Sequence, residues 1–360
     1  RSICSSPRCC AKKPGAGTPA CKEFVVKKRY WLWNALILAL VFGFTAWSIA
    51  KEQNFALLPR AFALMRVEYI VAGALLSLLY VLCESIILKL MFWREKRRVS
   101  FLSCSRYSFI GYFFSAITPS ASGGQPVEIY YMNRDGIPVS TSTPMLMVTT
   151  ILYKIVLVAL GVVCMAVGRD RMLAALSHSL WLFVLGFVLN ALFIAFVLAL
   201  LFKPALVRRF MHWLFGLRPL RRHGKMRERA VAFAEKYHES CELFTSRWKD
   251  ALAWLLVSLL QRGIYLFLPY LVYRAFGMSG HSALEIMLLQ GLIAISVDML
   301  PLPGGMGASE HLFMEFFLPV FGASLALPGM LASRVLVFYF PLVVSALVTV
   351  WSHFRARREK

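Results

Sequence analysis

Acidic residues are scarce in this chain, with 18 Asp and Glu against 40 Lys and Arg, and charged residues of both signs make up only 16% of the sequence. A soluble globular chain carries closer to about a quarter charged residues. The shortage leaves too little polar surface to solvate a domain of 360 residues. Nucleotide and hydrolase signatures are absent as well. No G-x-x-x-x-G-K-[ST] run occurs, which excludes a Walker-type ATP site within the chain. Neither H-E-x-x-H nor G-x-S-x-G is present, so neither a zincin site nor a serine nucleophile elbow is expected. Cys4, Cys9, Cys10 and Cys21 crowd the N-terminal tail in a spacing that fits no standard zinc motif, and His281 and His311 stand alone. No metal and no cofactor is therefore expected.

What the chain has in excess is apolar sequence. Hydrophobic residues reach 59% and the mean hydropathy is +0.65. They fall in blocks of about twenty residues, the length a helix needs to cross a hydrocarbon layer of roughly 30 Å. The blocks lie near residues 30–50, 69–93, 101–117, 144–167, 181–202, 251–276, 283–320 and 328–351. The first is long and follows a basic tail, so it is expected to remain as an anchor rather than be cleaved as a signal peptide.

The net charge of +22 would suggest nucleic acid in a soluble protein. Here the basic residues sit at block ends: Lys27, Lys28 and Arg29; Arg94, Lys96, Arg97 and Arg98; Arg208 to Arg229 in a long loop; and Arg355, Arg357, Arg358 and Lys360. Cytoplasmic anchoring against anionic lipid explains that placement, and nucleic acid is not an expected partner. Putting all four groups on the cytoplasmic side constrains the count of crossings. Three blocks separate Arg98 from Lys203, and three separate Ala251 from Arg355, yet each set must begin and end on one side. The conflict disappears if the interrupted blocks are re-entrant.

The expected fold is thus an all-α integral membrane protein with about six full transmembrane helices and two re-entrant broken-helix hairpins in an inverted-repeat-like arrangement. Its parts are a basic Cys-containing tail (1–29) and a first half of the bundle (30–202, re-entrant near 101–135). A basic amphipathic stretch (203–250), a second half (251–352, re-entrant near 283–321) and a basic tail (353–360) follow. Both termini are expected in the cytoplasm of a multi-pass plasma-membrane protein. The stretch 203–250, with Trp213, Leu214 and Phe215 beside Arg residues, reads as an interfacial amphipathic helix. Irregular backbone at membrane depth must line protein or a water-filled cavity, so two breaks imply one central cavity.

The breaks concentrate the chemistry. The first runs through Thr118-Pro-Ser-Ala-Ser-Gly-Gly, with Gln125 and Glu128 in the first turn of the next helix and Arg134 further along. A helix start with bare glycines, Gly123 and Gly124, favours an anion such as phosphate. A tight surface loop anchored by Arg134 is the structural alternative. The second break, Asp298 to Glu310, holds Gly304, Gly305 and Gly307 ahead of Glu310, His311 and Glu315. Glu310 suits either a functional carboxylate or a helix cap. Lys154 and Arg262 lie half-way along their blocks and need anionic partners; Glu84, Glu128, Asp298 and Glu310 are available. Lys89 and Arg334, near block ends, need only snorkel.

The segments Gly123–Pro138 (GGQPVEIYYMNRDGIP) and Leu300–Glu310 (LPLPGGMGASE) resemble the paired motifs of the lysylphosphatidylglycerol synthase transmembrane, or flippase-like, family, which includes the membrane half of the multiple peptide resistance factor. The resemblance runs from about Lys27 to the C-terminus and is carried by Gly123, Gly124, Pro126, Glu128, Arg134, Gly304, Gly305, Gly307 and Glu310. Fuller members join this membrane part to a cytosolic domain that transfers lysine from lysyl-tRNA to phosphatidylglycerol, and the membrane part exposes the product outside. The resemblance implies translocation of lysyl-phosphatidylglycerol or a related anionic-headed lipid from inner to outer leaflet, with resistance to cationic antimicrobial peptides. This chain has no stretch long enough for the transferase domain, so catalysis within it is not expected. Two alternatives stay open: lysyl transfer to phosphatidylglycerol, and a non-catalytic membrane partner of a separate synthase. The implied partners are a phospholipid substrate, anionic membrane lipids, a separate aminoacyl-lipid synthase and a second copy of the chain.

Overall fold

A computed structural model of the chain describes residues 62–167, 179–203, 235–242 and 248–358, together with 205 and 209. The N-terminal tail, the first apolar block and most of the stretch 203–250 lie outside those residues. The described residues form helices joined by short turns, without a strand. In chain order the helices are α1 (Val67–Arg94), α2 (Phe101–Ile117), α3 (Gly124–Arg134), α4 (Val139–Val167), α5 (Leu180–Phe202), α6 (Trp248–Ala275), α7 (Ala283–Val297), α8 (Ala308–Arg334) and α9 (Phe340–Arg358). Short 3-10 turns, Pro119–Ala121 and Pro303–Gly305, stand between α2 and α3 and between α7 and α8.

Among the described residues, five runs are long and apolar enough to cross a membrane: Val67–Arg94, Val139–Ala166, Leu180–Phe202, Lys249–Ala275 and the long run Pro303–Phe354. The first, α1, has 28 residues and so extends about 42 Å at 1.5 Å per residue. Both interrupted blocks fold as helix, turn, helix. Ser100 starts α2 by accepting the Ser103 amide at 3.1 Å, and Ser282 starts α7 by accepting the Glu285 amide at 3.2 Å. Each supplies one of the orphan donors of a helix start with a partner.

The second half departs from the block boundaries expected from sequence. Helix α8 runs past residue 320 and through Pro328, and its interruption is at Gly322, whose φ of 71° and ψ of 166° suit a residue without Cβ. Residues Val335–Tyr339 then form a π-helical turn that leads into α9. Such a turn frees backbone carbonyls, and two are taken up from outside: Ser77 donates to Leu336 O at 2.6 Å and Tyr112 to Val337 O at 3.3 Å.

Packing pairs elements from the two halves. Helix α1 lies against α6, α2 against α9, and α4 against α7, while α5 packs on α4 and α7. The two 3-10 turns touch each other. At Gly186 of α5, any Cβ would strike the backbone of Ile295 and Ser296 in α7, the close backbone approach that small residues permit between membrane helices. One buried core gathers Leu289, Leu292, Phe313 and Phe317 around α7 and α8; a second gathers Leu88, Ile110, Met132 and Met145 around α1 to α4. Large apolar side chains also cover outer faces, among them Val71 and Leu75, Leu192 and Phe196, and Leu347 and Trp351. Faces of that kind fit a lipid surround, where apolar atoms need no burial in protein.

Candidate functional site

The two turns, which touch each other, carry most of the residues singled out in the sequence. In the first, Thr118 accepts the Gly123 amide at 2.9 Å and donates to the Phe114 carbonyl at 2.7 Å, closing the end of α2 onto the start of α3. A Cβ on Gly123 would press on Thr118, and one on Gly124 would meet the Gly111 carbonyl at 2.7 Å. The two glycines therefore let α3 fold directly back on α2. Gln125 donates to the Thr150 hydroxyl, tying the start of α3 to α4. No side chain caps α3, and Pro119, Ala121, Ser122 and Pro126 are exposed.

The second turn is closed by its own residues. Gly304, Gly305 and Gly307 all have positive φ, 58°, 66° and 86°. Glu310 accepts the Gly307 amide at 2.6 Å and the Ser309 hydroxyl at 3.1 Å, and Ser309 also donates to Gly305 O at 2.7 Å. The other Glu310 oxygen pairs with Arg334 Nε at 2.7 Å, and Arg334 reaches the Gly304 carbonyl at 3.4 Å. Arg334 therefore does not snorkel. Its side chain, like that of Glu310, is 13% exposed, and the two clasp the turn from opposite ends of α8. Glu315 accepts the Ser179 hydroxyl at 2.5 Å, and His311 is exposed. Lys89 likewise has a defined partner, donating to the Val99 carbonyl at 2.5 Å.

Beside these turns lies a line of buried charge. Lys154 pairs with Asp298, and its ammonium also sits 3.0 Å from Met299 Sδ. The rings of Tyr153 and Phe193 flank it at 5.2 and 5.3 Å. The Arg262 guanidinium carbon lies 3.5 Å from the centroid of the Tyr153 ring, with the Tyr265 and Tyr80 rings at 5.5 and 5.8 Å. A guanidinium is well matched to aromatic faces, which stabilise it without neutralising it. The Arg262 Nε has no hydrogen-bond partner. Glu84 on α1 is within electrostatic reach of Arg262, and Glu128 on α3 is within reach of Glu84. Glu128 is 3% exposed and its Oε2 has no partner. Its carboxyl rests on Gly111, where a Cβ could not be accommodated.

The structure thus brings Lys154, Asp298, Arg262 and Glu128 into one buried set and places Gly304, Gly305, Gly307 and Glu310 in the second turn beside the first. It does not bring Arg134 there. Arg134 is the last residue of α3, exposed, over the Tyr131 ring at 5.5 Å. Sequence reasoning overlooked the tyrosine cage of Arg262. A usable signal was present: Tyr80 precedes Glu84 by one helical turn, Tyr265 follows Arg262 by three residues, and Tyr153 adjoins Lys154, all within apolar blocks. It also overlooked Asp135, which accepts from Arg106 and, at 2.5 Å, from the Tyr107 hydroxyl, tying the outer ends of the α2–α3 hairpin. Among the described residues no group of three or more His, Cys, Asp and Glu is placed to hold a metal ion.

Comparison with known sequences places this arrangement among membrane proteins. Residues 31–345 match the family described as the lysylphosphatidylglycerol synthase TM region. A UPF0104 membrane protein from Archaeoglobus fulgidus is 29% identical over 110 residues, a stretch that spans 29% of this chain and 30% of that relative.

Proposed function

This chain belongs to the lysylphosphatidylglycerol synthase transmembrane-region family, and from that membership in a lipid-related, multi-pass membrane family we propose that it is a lipid translocase. It carries an aminoacylated or other anionic-headed phospholipid from the inner to the outer leaflet. In cells the lysyl lipid so exposed would lower negative surface charge and resist cationic antimicrobial peptides. The observation that carries the reading is the meeting of the two helix breaks beside buried, incompletely paired charge. A soluble-type core gives no reason to keep such groups in an apolar bundle, where ionisable side chains are costly and mark transport paths.

The proposed topology has six full crossings, the first from residues 30–50, and two hairpins entering from opposite faces. Support comes from the pairing of equivalent elements: α1 with α6, and the reciprocal contacts α2 with α9 and α7 with α4. Reciprocal contacts of that kind are expected where two halves are related by a two-fold axis in the membrane plane. The phosphate of the lipid then lies against Arg262, whose Nε is unspent, with Lys154 beside it, and the head-group cation against Glu128. The acyl chains remain in lipid while alternation of the halves passes the head group across.

The test is leaflet-resolved transport in liposomes carrying fluorescent phosphatidylglycerol or its lysyl derivative. Movement by the natural chain and its loss in Arg262→Lys or Glu128→Gln, with thermal stability retained, is the expected result. Equal movement by the natural chain and both variants would sink the assignment. The family description names part of a synthase, which favours a second reading, a membrane partner of a separate aminoacyl-lipid synthase. Co-purification of a soluble transferase with no transport of either lipid would select it. Lysine transfer to phosphatidylglycerol by the purified chain alone would instead make it an enzyme.

A further inference from the structure

Among the described residues Arg262 enters no ion pair, although it is only 7% exposed and its Nε has no hydrogen-bond partner. A buried cation with neither water nor a carboxylate is costly, so its surroundings must offset the charge in another way. What lies against it is aromatic. The guanidinium carbon is 3.5 Å from the centroid of the Tyr153 ring, compared with 5.5 Å for Tyr265 and 5.8 Å for Tyr80. The rings come from α4, α6 and α1, and α6 packs on both of the other helices. Tyr80 and Tyr265 also contact each other, their centroids 5.9 Å apart.

Tyr153 stands apart from the other two. An approach to 3.5 Å from the centroid is possible only over the face, since the ring's own hydrogens bar it at the edge. The same ring lies 5.2 Å from the Lys154 ammonium. Lys154 has its charge met by Asp298; for Arg262 the Tyr153 face is the nearest source of negative potential among the described aromatic rings.

We propose that Tyr153 is a positioning residue for an anion-binding Arg262: its ring face does the work of a counter-ion, fixing the guanidinium while leaving it charged for the phosphate of a phospholipid. The proposal rests on the reading of Arg262 as the phosphate contact. A carboxylate in that place would occupy N–H groups and cancel the charge. The ring quadrupole attracts the cation without neutralising it, and a guanidinium held at one point can present its N–H fork to two phosphate oxygens. The arrangement sets a specificity. A lipid with a phosphodiester gains from Arg262, and one without a phosphate does not.

The test titrates the full chain, purified in detergent, with phosphatidylglycerol and counts bound lipid by native mass spectrometry. Diacylglycerol of the same acyl chains is the phosphate-free control. Tyr153→Phe keeps the face and should bind phosphatidylglycerol within about twofold of the natural chain, whereas Tyr153→Leu should bind it about tenfold more weakly. Diacylglycerol binding should not change in either variant. Phenylalanines carrying one, two and three ring fluorines, placed at residue 153, should weaken phosphatidylglycerol binding step by step, because fluorine drains the ring face while barely changing its shape. A merely structural role would not follow that series, and the series decides the matter if Tyr153→Leu fails to fold. Affinity indifferent to fluorination, or an equal loss for diacylglycerol, overturns the proposal. Transport is read separately in the liposome assay. Graded affinity without movement of either lipid upholds the positioning role and removes the translocase reading. Movement by the natural chain with affinity indifferent to fluorination does the reverse, and a natural chain that binds phosphatidylglycerol no better than diacylglycerol overturns both.

Discussion

The Lys154–Asp298 pair can be perturbed with a calculable result. Its side chains are 7% and 12% exposed, and it joins α4 to the residues that follow α7. Replacing Lys154 with Met removes one charge and leaves the Asp298 carboxylate without a counter-ion. Breaking a buried pair from one side costs about 3–5 kcal/mol, because the surviving charge has lost both water and partner. At about 2–4 °C per kcal/mol for a chain of more than 150 residues, unfolding should move down by roughly 6–20 °C. The double variant Lys154→Met, Asp298→Leu removes both charges and should recover most of that loss, since apolar replacement of a whole buried pair is often neutral or stabilising. The assay is thermal unfolding of detergent-purified protein followed by tryptophan fluorescence, with all four corners of the cycle measured. A single Lys154→Met variant that melts within about 2 °C of the natural protein would refute the reasoning. That result would mean that water reaches Asp298. Transport in the double variant separates the two roles: stability recovered without transport assigns the pair to the head-group path.

Other consequences can be checked on the same preparation. Glu310→Ala removes the acceptor of the Gly307 amide and strands Arg334, so it should lose about 3 kcal/mol or more of stability; Glu310→Gln, able to keep the cap, should lose less in the same melt. Gly111→Ala drives a methyl group into the Glu128 carboxyl and should cost about 1–3 kcal/mol by overpacking, with transport lost where Gly73→Ala, facing only the flexible tip of Leu336, retains it. Outside the membrane-spanning runs, burial pushes the Cys241 thiol up to about 11. A raised value keeps the thiol protonated at neutral pH, so iodoacetamide labelling of that residue, read by peptide mass, should stay slow and climb only as the pH nears 11; a plateau near the ordinary thiol value of about 8.5 would show that the residue is exposed.

Breaks and charges were legible in the sequence for a physical reason: each is a local exception in an apolar run. Pro119, Gly123 and Gly124 stand where α2 gives way to α3, and Pro303, Gly304 and Gly305 where α7 gives way to α8. Lys154 and Arg262 stood out in the same way. Their partners did not, because partnership is long-range. Lys154 and Asp298 are 144 positions apart, and nothing near either residue encodes the distance. Arg334 illustrates the limit. Counted from the presumed end of a block it looked peripheral, but the apolar run continues from Pro303 to Phe354 and holds it well inside. The run passes through Pro328 because a proline within a helix removes one hydrogen bond without forbidding continuation where neighbouring helices hold the backbone.

The two breaks, alike in sequence, have been put to different uses. At the second, Glu310 occupies the position at the start of α8 where an external anion would bind, and Arg334 balances it. A helix start already holding a carboxylate has no remaining attraction for phosphate. At the first, α3 begins at bare glycine with no capping side chain, next to the exposed Pro119, Ala121 and Ser122. Glu128 on α3 and Arg262 on α6 retain atoms without partners, as does Arg334 Nη2 beside the second turn. A second turn capped by Glu310 and an uncapped first one imply a division of labour, with the second serving as the wall against which the first makes and breaks its contacts. Substitutions that spare folding but stop transport should accordingly concentrate around the α2–α3 hairpin and Arg262, whereas those in the α7–α8 turn should first be felt as lost stability.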